Sequence, residues 1–199
     1  MGRLKNYDPR DVALRAMAQF WRHGYYGTSI EDLVSVTGVN RHGLYADFRD
    51  KHGLFVAAMH AYSKEIVTPA FGPVETAEAG IAEIRQFFET QIACAERAGL
   101  PGPGCLIANT MVEAGPHDER LGALVAAHLS RMTKGFRRAL NNERRHRKFE
   151  SSGAVSDLAF SLMVSAQGLW SVSRVVTQAS ILRSFANELV TTTEGKLFA

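Results

Sequence analysis

Long apolar runs are missing from this 199-residue sequence. No stretch approaches the roughly 18 uninterrupted apolar residues of a transmembrane helix, so no membrane span and no membrane partner is expected. Cysteine is scarce. The only two, Cys94 and Cys105, stand at no metal-ligand spacing, which argues against a zinc site or a disulfide framework. No charge of one sign dominates either: 23 Lys and Arg against 20 Asp and Glu leave +3, too little by itself to mark a nucleic-acid binder. Residues 1–5 are followed by no apolar stretch of the signal-peptide kind, and a cytoplasmic protein is expected. Alternating strand patterns, phosphate loops, nucleophile–base pairs and metal signatures are all absent. The expectation is therefore an all-α chain that is not an enzyme and uses no cofactor.

What is present centres on residues 28–51, TSIEDLVSVTGVNRHGLYADFRDK. Thr28 or Ser29 can cap a first helix, with Glu31 or Asp32 completing a capping box. Ile30, Leu33 and Val34 fall on one face. Thr37-Gly38 supplies a break, because glycine accepts the positive φ that ends a helix tightly. Asn40 is the expected N-cap of a second helix from Arg41 to about Phe48, with Leu44 and Phe48 inward and Arg41, His42, Gly43 and Tyr45 outward. Two short helices joined by such a turn make a helix-turn-helix. Charge placement agrees: residues 1–52 hold eight Lys/Arg against six Asp/Glu, while the remaining fifteen and fourteen nearly cancel.

The run GYYGTSIEDLVSVTGVNRHGLYADFRDKHGLF closely resembles the DNA-binding domain of TetR-type (TetR/AcrR) transcriptional regulators. The glycine of the tight turn, the Tyr45-x-x-Phe48 pair and the Lys51 that opens the next helix carry the likeness. The resemblance implies that the helix after the turn enters the major groove and that two heads of a dimer read a palindromic double-stranded site. Asn40, Arg41, His42 and Gly43 then become candidates for base-edge contact. Arginine can donate twice to guanine, and Gly43 would let the backbone come close. Thr28, Ser29, Tyr45 and Lys51 become candidate phosphate clamps. For Tyr45 a packing role is the alternative, and for His42 a solvated one. Arg3 sits in a short basic arm that either reaches a minor groove or is simply a solvated terminus.

Along the chain, Asp8 caps a helix opened by Pro9 whose stripe is Val12, Ala13, Ala16, Met17 and Phe20. Asp50 caps a connector over 51–67, broken after it by Pro69 and Gly72-Pro73. The domain boundaries expected are 1–52 for the DNA-binding head and 53–199 for a helical second domain, with 51–67 shared. Further helices are expected at 77–98, 105–114, from His117 or Asp118 to about Asn141 or further, at 156–178 and at 180–193, about nine in all. The long helix repeats Leu121, Val125, His128, Met132, Phe136 and Leu140 at three- or four-residue steps.

Between Ala154 and Leu182 only Asp157 and Arg174 are charged. A helix apolar nearly all round must be covered on several sides. Leu158, Leu162, Ala166, Leu169 and Val176 form one face, and Phe185 and Leu189 on the next helix lie beside it in a two-fold four-helix homodimer interface. A central helix of a monomer is the alternative. The resemblance points to the dimer, since TetR-type regulators usually pair through their last two long helices.

The second domain reads as a sensor. Phe87, Phe88, Met111, Phe136, Met163 and Trp170 are candidates to line a pocket for a small hydrophobic effector, with plain core as the alternative. Cys105 is expected in the first turn of a helix, where the dipole favours a thiolate. The segment GCLIAN also resembles a subset of the family in which a cysteine at this place senses electrophiles or oxidants. A buried structural cysteine is the other reading. Arg131, Lys134, Arg137, Arg138, Arg144, Arg145, Arg147 and Lys148 form a basic block, either a solvated face or a second nucleic-acid or membrane-surface patch. Glu113, His117 and Asp118 match no metal motif.

The reading is a homodimeric, sequence-specific transcriptional regulator, a repressor released by a small ligand or electrophile. Two other readings stand beside it: an architectural DNA binder without effector, and a thiol redox protein centred on Cys105.

Overall fold

A computed structural model of the chain describes residues 7–148 and 155–199. Arg3 lies outside the described residues. Among these the chain is helical, with no strand. In order come α1 (Pro9–His23), α2 (Ile30–Thr37), α3 (Arg41–Phe48) and α4 (Lys51–Tyr62). A π-wound segment, Ser63–Val67, then leads into α5 (Thr68–Phe71) and a 3₁₀ turn at Gly72–Glu75. After these follow α6 (Ile81–Ala98), α7 (Leu106–Glu113), α8 (Glu119–His146), α9 (Val155–Val172) and α10 (Ala179–Leu197). Counting the unbroken stretch from α4 to α5 as one helix gives nine among the described residues. None is long and apolar enough to cross a membrane.

Two compact units divide the chain. One holds the described residues up to Ile66 together with Leu106–Val125, and the other Val67–Cys105 with the described part of Ala126–Ala199. In the first, Asp8 accepts from the Arg10 N–H at 2.8 Å and starts α1 at Pro9. The expected stripe of α1 is buried, and Phe20 meets Phe55 of α4 edge-on at 4.8 Å.

The second unit is built on aromatic packing. Phe71 of α5 touches Phe87 of α6 and Phe136 of α8 at 5.3 and 5.1 Å between ring centres. Phe88 stacks on Phe136 at 6.4 Å, and Phe87 meets Trp170 at 6.4 Å. The whole expected stripe of α8, Leu121 to Leu140, is buried, including His128.

Three elements depart from expectation. The helix runs through Pro69 because proline sits in the first turn of α5, where its missing N–H costs nothing. α6 begins at Ile81, since Glu83 reaches back to the Gly80 N–H at 2.7 Å. α9 stops at Val172, well before Gln178, and the Ser173 carbonyl is taken by the Gly102 N–H at 3.1 Å, a hydrogen bond from a distant loop.

Leu162, Ala166 and Leu169 correct the expected dimer face, because all three are buried inside the second unit. Leu158, Val176 and Leu189 are half-buried, and Val176 is not on α9 at all. The apolar side chains left open are Phe160, Val164 and Val172 on α9 and Ile181 and Phe185 on α10. Of the residues expected at the interface, only Phe185 belongs to that open face.

Candidate nucleic-acid interface

Local polar contacts set the helix-turn-helix. Ser29 Oγ accepts from the Asp32 N–H at 3.0 Å while Asp32 Oδ2 accepts from the Ser29 N–H at 2.8 Å, a reciprocal capping box. The Ser29 hydroxyl, donating to Asp32 Oδ2 at 2.7 Å, and then the Ser29 N–H hold the Asp32 carboxyl below its ordinary value. α2 ends at Gly38, whose φ of 73° and ψ of 9° suit glycine, and the Gly38 N–H returns to the Val34 carbonyl at 3.0 Å. Asn40 Oδ1 then accepts from the Gly43 N–H at 2.9 Å and starts α3. Only Leu44 of α3 is fully buried; Phe48 is half-buried.

Arg41 and His42 stand exposed at the N-terminal end of α3. The Arg41 guanidinium lies 5.4 Å from the Tyr45 ring centre, and its Nε donates to the Tyr45 hydroxyl at 3.3 Å. This braces a long side chain that would otherwise be free, with the exposed Glu31 carboxylate 3.9 Å away. Tyr45 is half-buried beneath it. At the start of α4, capped by Asp50 through the Gly53 N–H at 2.7 Å, Lys51 Nζ sits 4.5 Å from the Tyr25 ring centre. Burial pulls this ammonium below the usual lysine value, and Glu113 and Asp32 oppose that. Ser29, Arg41, His42 and Lys51 are thus brought to one head.

One assignment changes, and a second gains a packing reason. Thr28 is fully buried, and its hydroxyl donates to the Gly24 carbonyl at 2.8 Å, so its side chain braces the turn and does not face a phosphate. At Gly43 packing leaves little room for a side chain. A Cβ there would lie 2.7 Å from Val39 Cγ1 and 3.0 Å from the Tyr7 hydroxyl, which donates to the Gly43 carbonyl at 3.2 Å.

Sequence reasoning missed several supports. Tyr7 is one. Arg15 is another, donating to the Thr37 carbonyl at 3.3 Å, at the C-terminal end of α2. Glu113 of α7 accepts from the Tyr25 and Tyr26 N–H groups at 3.0 and 2.8 Å, tying down the chain between α1 and α2. His52 Nε2 lies 2.8 Å from Asp118 Oδ2. No local pattern reveals partners 87 and 88 residues apart. Arg49, just after α3, has φ 73° and ψ −50°, a strained conformation for a residue with a side chain.

Of the expected effector-lining residues, Phe87, Phe88, Phe136 and Trp170 meet in one aromatic cluster of the second unit, joined by the unforeseen Phe71. Met163 is buried in the same unit, and Met111 belongs to the first. Gln167 is buried with its amide donating to Met132 Sδ at 3.3 Å. Cys105 is buried immediately before α7, one residue short of the helical turn expected for it.

Residues 14–58, which contain this head, match the family described as "Bacterial regulatory proteins, tetR family". Residues 80–189, more than half the chain, match "Tetracyclin repressor-like, C-terminal domain". The chain belongs to the TetR family. Within it, YezE of Bacillus subtilis, described as an uncharacterized HTH-type transcriptional regulator, is 33% identical over 121 residues, 61% of this chain and 62% of that protein. ComR of Escherichia coli, described as an HTH-type transcriptional repressor, is 35% identical over 120 residues, 58% and 55% of the two chains. The chain thus spans less than two thirds of the length of these curated relatives. A cysteine-substituted CifR, a TetR family transcriptional regulator complexed with 26bp double-strand operator DNA, shares the fold. Its TM-score is 0.82 at 19% identity, covering 95% of this chain and 98% of that one.

Proposed function

We propose that this TetR-family chain is a sequence-specific DNA-binding transcriptional regulator, a homodimeric repressor that leaves a palindromic operator when a small ligand or electrophile binds. The observation that carries the reading is the exposed end of α3, where Arg41 is held by Tyr45 beside His42. Arg41 and His42 read base edges, Asn40 caps the reading helix, and Ser29, Tyr45 and Lys51 hold phosphates. A second copy of the chain covers Phe160, Val164, Ile181 and Phe185, which spaces two heads on one duplex. The effector site is assigned to the aromatic interior of the second unit, with Cys105 as the position for a reactive electrophile. In this reading the protein is cytoplasmic and performs no catalysis. The repressor named ComR and the operator complex of CifR support the direction of the proposal.

Fluorescence anisotropy on the DNA upstream of the protein's own gene, against unrelated DNA at two salt concentrations, tests it. Site-selective binding that survives moderate salt is expected, with Arg41→Ala weakening it by roughly 1–3 kcal/mol and flattening the preference between sites. Weak binding, equal on both DNAs and lost with salt, would favour the architectural reading instead.

A further inference from the structure

Five basic residues of α8, from Arg131 to Arg145, take no part in the head, yet they converge on a groove of about 960 Å³. Lys134, Arg137, Arg138, Asn141 and Arg145 line it along one side, at steps of three or four residues that keep them on one helical face. Glu75 and Ala77 form the facing wall. Lys134 and Arg145 are about 16 Å apart along the axis, from the 1.5 Å rise per residue.

Most of the positive charge in this groove is uncompensated among the described residues. Glu75 is its sole carboxylate among the lining residues, and Arg131 already takes both oxygens, at 2.8 and 2.5 Å, while also donating to Thr68 at 3.0 Å. Lys134, Arg137, Arg138 and Arg145 make no ion pair among the described residues, whereas Arg10, Arg147 and Arg183 each hold a carboxylate. Arg145 donates to the Asn142 side-chain oxygen. Like charges at i and i+4, such as Lys134 and Arg138, work against the helix that carries them. Arg145 in the last turn of α8 is favoured by the helix dipole, but Lys134, Arg137 and Arg138 lie too far from that end to gain by it, and an anion in the groove would supply their counter-charge.

The lining also limits what that anion is. It contains no aromatic ring and no large apolar side chain, so it offers no stacking platform for bases and no wedge for a lipid surface. The volume falls in the range of small-molecule sites, roughly 300–1,000 Å³. Guanidinium forks match phosphate oxygens in pairs. From these features we infer that the α8 groove binds a small molecule bearing a chain of two or more phosphates.

The test is isothermal titration of the full chain with inorganic tripolyphosphate, with orthophosphate and a nucleoside triphosphate in parallel, at low salt and at roughly 0.15 M. Saturable binding with one site per chain is expected, at least about tenfold tighter than orthophosphate. The exposed pair Lys134→Glu with Arg138→Glu should weaken it about tenfold or more, and Arg41→Ala should leave it unchanged. If the charge-reversed pair misfolds in a thermal melt, Arg138→Gln alone carries the comparison. Equal affinity for the nucleoside triphosphate assigns recognition to the phosphate chain alone; tighter binding adds a nucleoside contact, and both support the inference. Absence of saturable binding at low salt overturns it. So does binding indifferent to Lys134 and Arg138, orthophosphate binding as tightly as tripolyphosphate, or capture by anionic phospholipid vesicles without tripolyphosphate binding.

Discussion

α2 and α3 are eight residues each and together bury only Ile30, Leu33, Thr37 and Leu44. α6, α8 and α9 run 18, 28 and 18 residues and bring Phe87, Phe88, Phe136 and Trp170 into one aromatic cluster. The head is therefore shaped by the satisfaction of backbone groups at helix ends, through Ser29, Gly38, Asn40 and Asp50. The second unit is shaped by removal of apolar surface from water. Helices of eight residues are marginal alone, so loss of a single cap matters there. In the second unit no single cap matters much, but a lost ring does.

Four substitutions break or sharpen this contrast. Phe136→Ala, at a fully buried ring touching Phe71, Phe87 and Phe88, is expected to cost about 3–5 kcal/mol in chemical denaturation.

His128 comes next. Burial, with Arg131 adding to it, pulls its imidazole down to about 4, whereas an unfolded histidine charges near 6.5. Between those values the unfolded chain holds more protons, so stability is full above about pH 6.5 and falls as pH drops toward 4. The loss approaches roughly 3 kcal/mol. His128→Leu should remove that slope from denaturation measured across the interval.

In the head, Asn40→Ala deletes the oxygen that caps α3 and should cost about 1 kcal/mol, read as a lower denaturation midpoint with weaker DNA binding. The smallest effect runs the other way. Arg49→Gly relieves φ 73° and should stabilise by roughly 0.5–1 kcal/mol. A loss on that substitution would mean that the Arg49 side chain itself supports the turn into α4.

Most of the head was legible because its signals are local. A cap lies three residues from the N–H it satisfies, and Gly38 marks its own turn. The stripe of α8 was legible for a related reason: its polar residues leave one apolar face, from Leu121 to Leu140. The side chain of Thr28 was misjudged because its bond to the Gly24 carbonyl depends on a turn outside the motif, and the contact of Tyr7 with Gly43 was hidden for the same reason. Glu113 was invisible as a brace, since nothing near it in the chain indicates Tyr25 and Tyr26.

The sequence by itself determined the all-α class, the position of α3 and the identity of its exposed arginine, because helix ends and periodicities are written within a few residues. Only the tertiary structure decided which face of α9 stays open. A helix apolar on several sides carries no internal mark of direction. Packing in the second unit buried Leu162, Ala166 and Leu169 and left Phe160 and Val164 outside. Tertiary packing likewise brought Glu75 across to Arg131, leaving Lys134, Arg137, Arg138 and Arg145 without an ion pair among the described residues.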